Sequence, residues 1–307
     1  MKKSEITVLG SLNVDLTINL PRFHVPGETI TGTAFHTFLG GKGGNQAVAA
    51  AKLGGKVHMI GCVGQDAYGD MYLKEMERLG IDAAHVRREQ DAPTGTALIE
   101  VDAKGENRIA IVPGANAALN CDLVSDSVET IRASRVLMMQ LETPIESINH
   151  AAAVAHKLGC TVILDPAPAR PVGPEILLLC DYVTPNETEL SILTGMPTAT
   201  QEQAIDACAK LLDMGVKAVV HKRGSKGAML ATREGVRFFP ACKVEAVDTT
   251  AAGDTFNAGF AVGLTMDMPV EDAIRLGNAA AALSTTGLGA QGAMPDLYSA
   301  CALVEAN

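Results

Sequence analysis

The sequence predicts an α/β protein built on a doubly wound, mostly parallel sheet, with a small strand-rich excursion beside it. Three observations carry this. After residue 120, apolar runs alternate with helical stretches: VLMMQ at 136–140, TVILD at 161–165, YVTPN at 182–186 and KAVVHK at 217–222, separated by helices expected at 145–158, 187–194 and 202–214. Earlier, TALIEV at 96–101 and NRIAIV at 107–112 flank Lys104-Gly105 as a hairpin, and Thr17 to Phe38 reads as short strands broken by Pro21, Pro26-Gly27 and Gly32. The length of 307 residues and the 47% apolar content allow a sizeable core.

The first strand runs from Ile6 to Leu9, a second from Val57 to Val63, and helices are expected over 45–53 and 69–79, the latter ended by Gly80. No repeat or low-complexity linker interrupts the chain, so 1–307 reads as one domain. The excursion draws on two separate segments, about 12–40 and 94–114, which suits a lid better than an independent domain. In doubly wound sheets ligands lie beyond the carboxyl ends of the strands. Those ends carry Gln140-Leu141-Glu142, Asp165-Pro166, Pro185-Asn186-Glu187 and Lys222-Arg223-Gly224.

Composition excludes several classes. With 25 basic against 35 acidic residues the formal net charge is −10, and no basic stretch interrupts it, which argues against nucleic acid or an anionic membrane as partner. Aromatics are only 4%, with no Trp, too few for base-stacking platforms. A small phosphate ligand stays open, because backbone amides can build such a site locally. The seven cysteines are odd in number and show no CxxC pair, as scattered reduced thiols would. The opening MKKSEITVLG has no signal-like apolar region, and no run approaches a membrane span, so a cytoplasmic protein is expected.

Four segments carry candidate chemistry. In DTTAAGDTFN at 248–257, the small residues Ala251, Ala252 and Gly253 stand where a helix begins, and Phe256, Gly259, Phe260, Gly263 and Leu264 continue it. Small side chains let a phosphate reach the free N–H groups of a helix start, and Asp254 in the first turn is kept ionised there. An anion cradle beside a carboxylate suits phosphoryl transfer. Read alone, the segment equally fits a capped, tightly packed helix. GGKGGN at 40–45 is neither a P-loop nor a dinucleotide fingerprint, and alone it reads as a flexible hairpin-to-helix turn. Asn13 and Asp15 after the first strand would alone be a turn pair. NETE at 186–189 would alone be an Asn cap with acidic residues in the first turn.

Together these segments resemble one family. GGKGGNQAVAAAKLG and AVDTTAAGDTFNAGF are similar to the two signature regions of the ribokinase/fructokinase-like carbohydrate kinases. LGSLNVD at 9–15, PGETITG at 26–32, MQLETP at 139–144, LDPAPAR at 164–170 and TPNETEL at 184–190 extend the resemblance over essentially the whole chain. The resemblance implies a three-layer fold with a central, mostly parallel sheet and a small β-lid over the sugar. Lids of two subunits commonly pack together in this family, which implies a homodimer.

The resemblance also implies roles. Asn13, Asp15, Gly41, Lys42, Gly43, Gly44, Asn45 and Glu142 correspond to the sugar site. Asp254 corresponds to the catalytic base, and the amides of Ala251, Ala252 and Gly253 to the anion hole. Asn186, Lys222, Arg223, Gly224, Ser225, Lys226, Gly227 and Asn278 correspond to ATP contacts, and Glu189 to a residue positioning Mg²⁺ through water. Asp248 and Thr250, with backbone near Ser284, Gly287, Gly289 and Ala293, correspond to a monovalent cation site, usually for K⁺. Ala293 departs from the Ser often found there, and the Lys222-Arg223 pair is more basic than in many members.

The implied reaction is ATP-dependent phosphorylation of the primary 5-hydroxyl of D-ribose. The alternatives are a kinase for deoxyribose, another sugar or a nucleoside, or a non-catalytic sugar sensor on the same fold. A Rossmann dehydrogenase is disfavoured by the missing glycine fingerprint.

Overall fold

The computed structural model describes residues 3–307. The first half of the chain forms β1 (Glu5–Leu9), β2 (Asn13–Asn19), β3 (Ala34–Gly40), α1 (Lys42–Lys52), β4 (Lys56–Gly64), α2 (Ala67–Arg78), β5 (Asp82–Glu89), β6 (Gly95–Val101) and β7 (Asn107–Val112). The second half forms α3 (Cys121–Asp126), α4 (Val128–Ala133), β8 (Ser134–Met139), α5 (Ile145–Lys157), β9 (Thr161–Leu164), α6 (Pro174–Leu177), β10 (Tyr182–Val183), α7 (Glu187–Thr194), α8 (Gln201–Asp213), β11 (Ala218–Lys222), β12 (Ala228–Thr232), β13 (Gly235–Phe239), α9 (Ala252–Thr265), α10 (Val270–Ser284) and α11 (Leu297–Glu305).

The large sheet has the order β13-β12-β11-β10-β9-β8-β1-β4-β5. Its strands from β5 to β11 pair in parallel, and β12 and β13 close one edge as an antiparallel hairpin. β1 alternates its side chains between two buried layers. Ile6 and Val8 face a core shared with α1, α9 and α10, while Leu9 faces one shared with α5 and α8. From β1 the chain winds outward to β4 and β5 on one side and returns to β8 on the other. The topological switch point therefore lies between the carboxyl ends of β1 and β8, where a ligand crevice opens.

The second sheet, in the order β3-β2-β6-β7, borders that crevice: Asn13 of β2 and Ile111 of β7 line a cavity together with Leu141 and Glu142 after β8. The face turned away from Asp15 is left bare. Phe35, Leu98 and Val112, which the strand register places together there, are each more than half exposed.

GGKGGN is not a flexible turn. The helix α1 begins at Lys42, inside the glycine run and three residues before the start expected from the sequence. Gly41 has φ 82°, which an L side chain rarely adopts. A Cβ on Gly43 would lie 2.7 Å from the Cα of Gly10, and one on Gly44 would overlap the Tyr72 hydroxyl. The glycines serve close packing of α1 onto the end of β1.

The edge strand β5 and the β12–β13 hairpin are not legible as strands beforehand. DAAHVRRE carries charge on a half-buried edge, so the apolar alternation that marks a strand is absent. No described helix is long and apolar enough to cross a membrane.

Candidate active site

Helix α9 is packed tightly, buried from Asp254 to Gly263, with its half-buried first residues Ala251 to Gly253 at the crevice. A Cβ on Gly259 would stand 3.0 Å from the Cα of Gly277 on α10, and one on Gly263 would stand 2.8 Å from the Cα of Ala273. Ala251, the N-cap, sits in the left-handed region at φ 59°, a conformation costing about 1–2 kcal/mol for a residue with a Cβ. The turn it makes aims the first helical amides at the crevice. One of the three amides expected in the anion hole is already engaged, since the Ala252 N–H donates to the Thr249 carbonyl at 3.2 Å. The N–H groups of Gly253 and Asp254 have no backbone acceptor among the described residues. The cradle therefore centres on these two groups.

Asp254 is 5% exposed. Its Oδ2 accepts from Asn45 Nδ2 at 3.0 Å and its Oδ1 from Gln46 Nε2 at 3.1 Å. Burial pushes its carboxyl up to about 6, with Asp165 adding to the rise and Lys42, Asn45 and Gln46 opposing it.

Burial also pushes Asp15 up to about 6, with the charges of Glu142 and Asp254 adding to it. Glu142 takes the Lys42 N–H at 3.1 Å and the Ser11 hydroxyl on one oxygen, and so caps the start of α1. Asn13 Oδ1 accepts from Asn116 Nδ2 at 2.8 Å, and the Asn116 side chain also holds the Leu12 backbone through both its N–H and its carbonyl. Burial pulls the Lys42 ammonium down, but the carboxylates of Asp254, Asp165, Glu142 and Glu189 outweigh it, so the net shift is upward and the charge is kept. A cavity of about 330 Å³ lies here, lined by Ser11, Asn13, Asn116, Glu142, Pro168 and Arg170 among others. Of the expected sugar residues, Asn13 and Glu142 line this cavity, while Asp15, Lys42 and Asn45 are tied to Glu142 or Asp254 beside it.

On the other side of the α9 N-terminus lies a cleft of about 480 Å³. Its walls are small and apolar, with Ala241, Val244, Ala281 and Ala282 prominent, and Gly224, Ser225, Gly227, Gly253 and Asn278 also line it. Asn278 Nδ2 donates to the carbonyls of Phe239 and Pro240 at 3.3 and 3.1 Å, leaving its Oδ1 to serve a ligand.

The basic pair divides. Lys222 turns inward, with Nζ 2.7 Å from Asp165 Oδ1 and 4.0 Å from Glu189 Oε2. Arg223 turns outward onto the Phe238 ring, 5.1 Å from its centroid, and reaches Gln201 Oε1 at 3.4 Å. It lines an adjoining, more polar cavity with Lys226, Asn186 and His221, and Lys222, Gly224 and Ser225 border both spaces. Arg223 and Lys226 therefore do not share the apolar cleft with Ser225 and Asn278.

Asn186 and Glu189 form a reciprocal cap on α7. Asn186 Oδ1 accepts from the Glu189 N–H at 2.9 Å, and the Asn186 N–H and Nδ2 donate to the two Glu189 oxygens at 2.8 Å each. Both carboxylate oxygens are in use, and among the described residues no cluster of three metal-ligating side chains exists. Glu189 is suited to hold water around a metal that arrives on a nucleotide, and not to build a cage for it.

Asp248 joins two loops. Its Oδ1 accepts from the Thr250 N–H at 2.9 Å and its Oδ2 from the Gly289 N–H at 3.0 Å. A Cβ on Gly287 would meet that of Ala293 at 3.0 Å, so position 293 faces this loop pair. Ser284 Oγ donates to the Ala281 carbonyl at 2.8 Å and is turned back into α10.

The sequence of the pfkB family carbohydrate kinases, taken as a family model, matches residues 3–297. The chain belongs to that family. A ribokinase from Haemophilus influenzae is 44% identical over 295 residues, 96% of each chain. A deoxyribokinase from Salmonella typhimurium is 38% identical over 294 residues, 95% of this chain and 96% of that one. The solved structure of Arabidopsis thaliana ribokinase complexed with ribose and ATP superposes with a TM-score of 0.94 at 38% identity, covering 99% of both chains. The doubly wound sheet and the second, smaller sheet are thus the architecture of this kinase family.

Three buried side chains of the site were absent from the residues expected beforehand. Gln46 and Gln140 are fully buried and Asp165 is 2% exposed, and all three lie within the hydrogen-bonded set around Asp254. The signal available for Gln140 and Asp165 was their place at strand carboxyl ends; for Gln46 it was a polar residue in an otherwise small, apolar helix.

The pH dependence of phosphorylation follows from the two raised carboxyls. A base must be ionised to act, so kcat/KM should fall as pH drops through about 6 and be flat above it until another group titrates. Asp15 and Asp254 interact, so the limb reports the pair and should be steeper than for one proton. A profile measured from pH 4.5 to 8 checks this; a flat profile down to pH 5 would contradict it.

Proposed function

We propose that this protein is an ATP-dependent kinase for the 5-hydroxyl of D-ribose. The observation that carries the reading is the buried Asp254 carboxylate at the start of α9, between a polyol-binding set and an amide cradle. A sugar sensor needs no such carboxylate beside an anion cradle. The names of the relatives, most of them ribokinases at 36–44% identity, point to ribose.

The chemistry assigned to each group is as follows. Asn13, Asp15, Asn45 and Glu142 offer paired donors and acceptors to the sugar hydroxyls, which fixes the ring and aims its primary alcohol at Asp254. Asp254 takes the hydroxyl proton as the oxygen attacks the γ-phosphorus of Mg·ATP. The bond from that phosphorus to the β–γ bridging oxygen breaks, and ADP departs. The N–H groups of Gly253 and Asp254 stand where the charge of the transferred group collects, with Lys222 close by, and require no reorganisation at that moment. The small-walled cleft beside Phe256 and Asn278 is shaped for the adenine, and Ser225 and Gly224 border it. Mg²⁺ enters as part of the nucleotide, with Glu189 and Asn186 addressing its water shell.

The Asp248 loop pair fits a monovalent cation, K⁺ for preference, using a carboxylate oxygen and backbone carbonyls of the 284–293 segment. Bound there, it would add positive charge beside the amide cradle. Position 293 offers no hydroxyl, so either a water would complete the shell or the site would bind the cation more weakly. Activity at equal ionic strength should be several-fold higher in K⁺ than in Na⁺; equal rates would argue against a working site.

The bare lid face, with Phe35, Leu98 and Val112, is assigned to the lid of a second copy. Leu98→Glu should convert a dimer to a monomer in sedimentation velocity, and a wild-type monomer would remove the assignment.

Deoxyribose is the competing substrate, favoured by the deoxyribokinase relative. A phosphorylation panel of ribose, deoxyribose, fructose, tagatose and adenosine with Mg·ATP separates the two. Ribose should give the highest kcat/KM, because a site that hydrogen-bonds a hydroxyl discriminates strongly against its absence. In the same assay Asp254→Asn should lower turnover by about 10²–10⁴-fold while sugar binding persists. Turnover of none of the five, or near-normal turnover of the variant, would overturn the reading.

A further inference from the structure

Gln46 is fully buried and belongs to no step described so far. It stands in α1 directly after Asn45, and its side chain points into the polar floor below the crevice. Both Nε2 hydrogens are spent on carboxylates: one bond goes to Asp254 Oδ1 at 3.1 Å and the other to Asp165 Oδ2 at 2.9 Å. Its Oε1 accepts from Gln140 Nε2 at 2.8 Å, and Gln140 is itself fully buried at the end of β8. The orientation of the Gln46 amide is dictated by this set, because a carbonyl facing two carboxylates would be repelled.

The arrangement solves an electrostatic problem. Asp165 and Asp254 are both buried, and the charge of Asp165 raises the cost of charge on Asp254. A neutral group with two donors can serve both without adding charge. The far oxygen of Asp165 is paired with Lys222 Nζ at 2.7 Å, so one continuous chain runs from Lys222 through Asp165 and Gln46 to Asp254. It joins the cation beside the amide cradle to the carboxylate that receives the proton.

We propose that Gln46 is a positioning residue for Asp254, holding Oδ1 in place and sustaining its ionised form, with Gln140 fixing the Gln46 amide from behind. The proposal rests on the reading of Asp254 as the base. Each Asp254 oxygen then has one donor, Asn45 or Gln46, and keeps a lone pair for the incoming hydroxyl. Other charges reach Asp254 from every side: Lys42 on α1, Asp15 on β2, Asp165 after β9 and Lys222 on β11, with Glu142 after β8 acting on Asp15 and Lys42. A substitution at 46 removes none of these charges, although Asp165 also loses a donor, so a displaced pH limb reports the hydrogen bonds lost from Gln46.

The sign follows from the chemistry. A donor to a carboxylate favours the charged form, and removing it raises the pKa. The acid limb must therefore move to higher pH.

The test compares Gln46→Met, Gln46→Glu, Gln140→Met and Asp254→Asn with the wild type, using D-ribose and Mg·ATP. Gln46→Met should lower kcat roughly 10- to 100-fold, leave the sugar KM within about threefold, and move the acid limb of kcat/KM upward by about one pH unit. Gln46→Glu, which adds a carboxyl beside two others, should move it further. Gln140→Met leaves both donors in place but frees the amide to turn, so a smaller shift in the same direction is expected, and this variant serves if the position 46 variants do not fold. A lowered kcat with an unmoved limb would mean that Gln46 only packs, and would overturn the proposal. If Asp254→Asn is inactive while the glutamine variants keep the wild-type limb, the base stands and the positioning role falls. If Asp254→Asn stays active, the base reading itself has failed.

Discussion

The constraint on which the site depends is the burial of negative charge. Asp15, Glu142, Asp165, Glu189 and Asp254 converge on one crevice, opposed by the buried ammonium groups of Lys42 and Lys222. Withdrawing an ion from water costs several kcal/mol, whereas an opposite charge at about 4 Å returns roughly 4 kcal/mol at an effective dielectric of about 20. Two lysines cannot offset five carboxylates on those terms. The balance is made up by hydrogen bonds from Asn45, Gln46, Asn186 and backbone amides, and by Asp15 and Asp254 holding their protons up to about pH 6. The same compromise makes Asp254 basic enough to accept a proton near neutral pH.

The fold is arranged around this requirement. Parallel winding brings the ends of β1, β8, β9 and β11 to one rim, and each delivers polar groups there: Ser11 and Asn13, Gln140 and Glu142, Asp165, and Lys222. Close packing then brings two helix starts against that rim. Glycines at 43 and 44 allow α1 to approach β1, and Gly259 and Gly263 allow α9 to nest on α10. A single added methyl group at any of these places would push a helix start outward, and with it the Lys42 amide or the cradle at Gly253. The overall acidity of the chain does not bar an anionic nucleotide, because the groups facing it are amides and Lys222, while Arg223 lies on Phe238, away from the apolar cleft.

Much of this was legible in the sequence. The strand–helix alternation after residue 120 marks the sheet, and the run DTTAAGDTFN marks a helix start with small residues and one carboxylate. Both are local patterns, governed by periodicity and by the needs of a helix terminus. The assignment of Asp254 to that first turn required nothing beyond the chain itself. The family-level motifs, spread over nearly the whole length, extended this to a kinase of the carbohydrate class.

Tertiary structure decided the rest, because the deciding distances join residues far apart in the chain. GGKGGN reads as a flexible turn until Gly10 and Tyr72 come into contact with it, and then its glycines become a condition of packing. Lys222 and Arg223 are equivalent as adjacent letters; only the pleat of β11 and the position of Asp165 send one inward and the other to the surface. Gln46 looks like an incidental polar residue in a small apolar helix. It takes on its place between two carboxylates only when α1, β8, β9 and α9 are assembled, since electrostatic pairing depends on separation in space and sequence records only order along the chain.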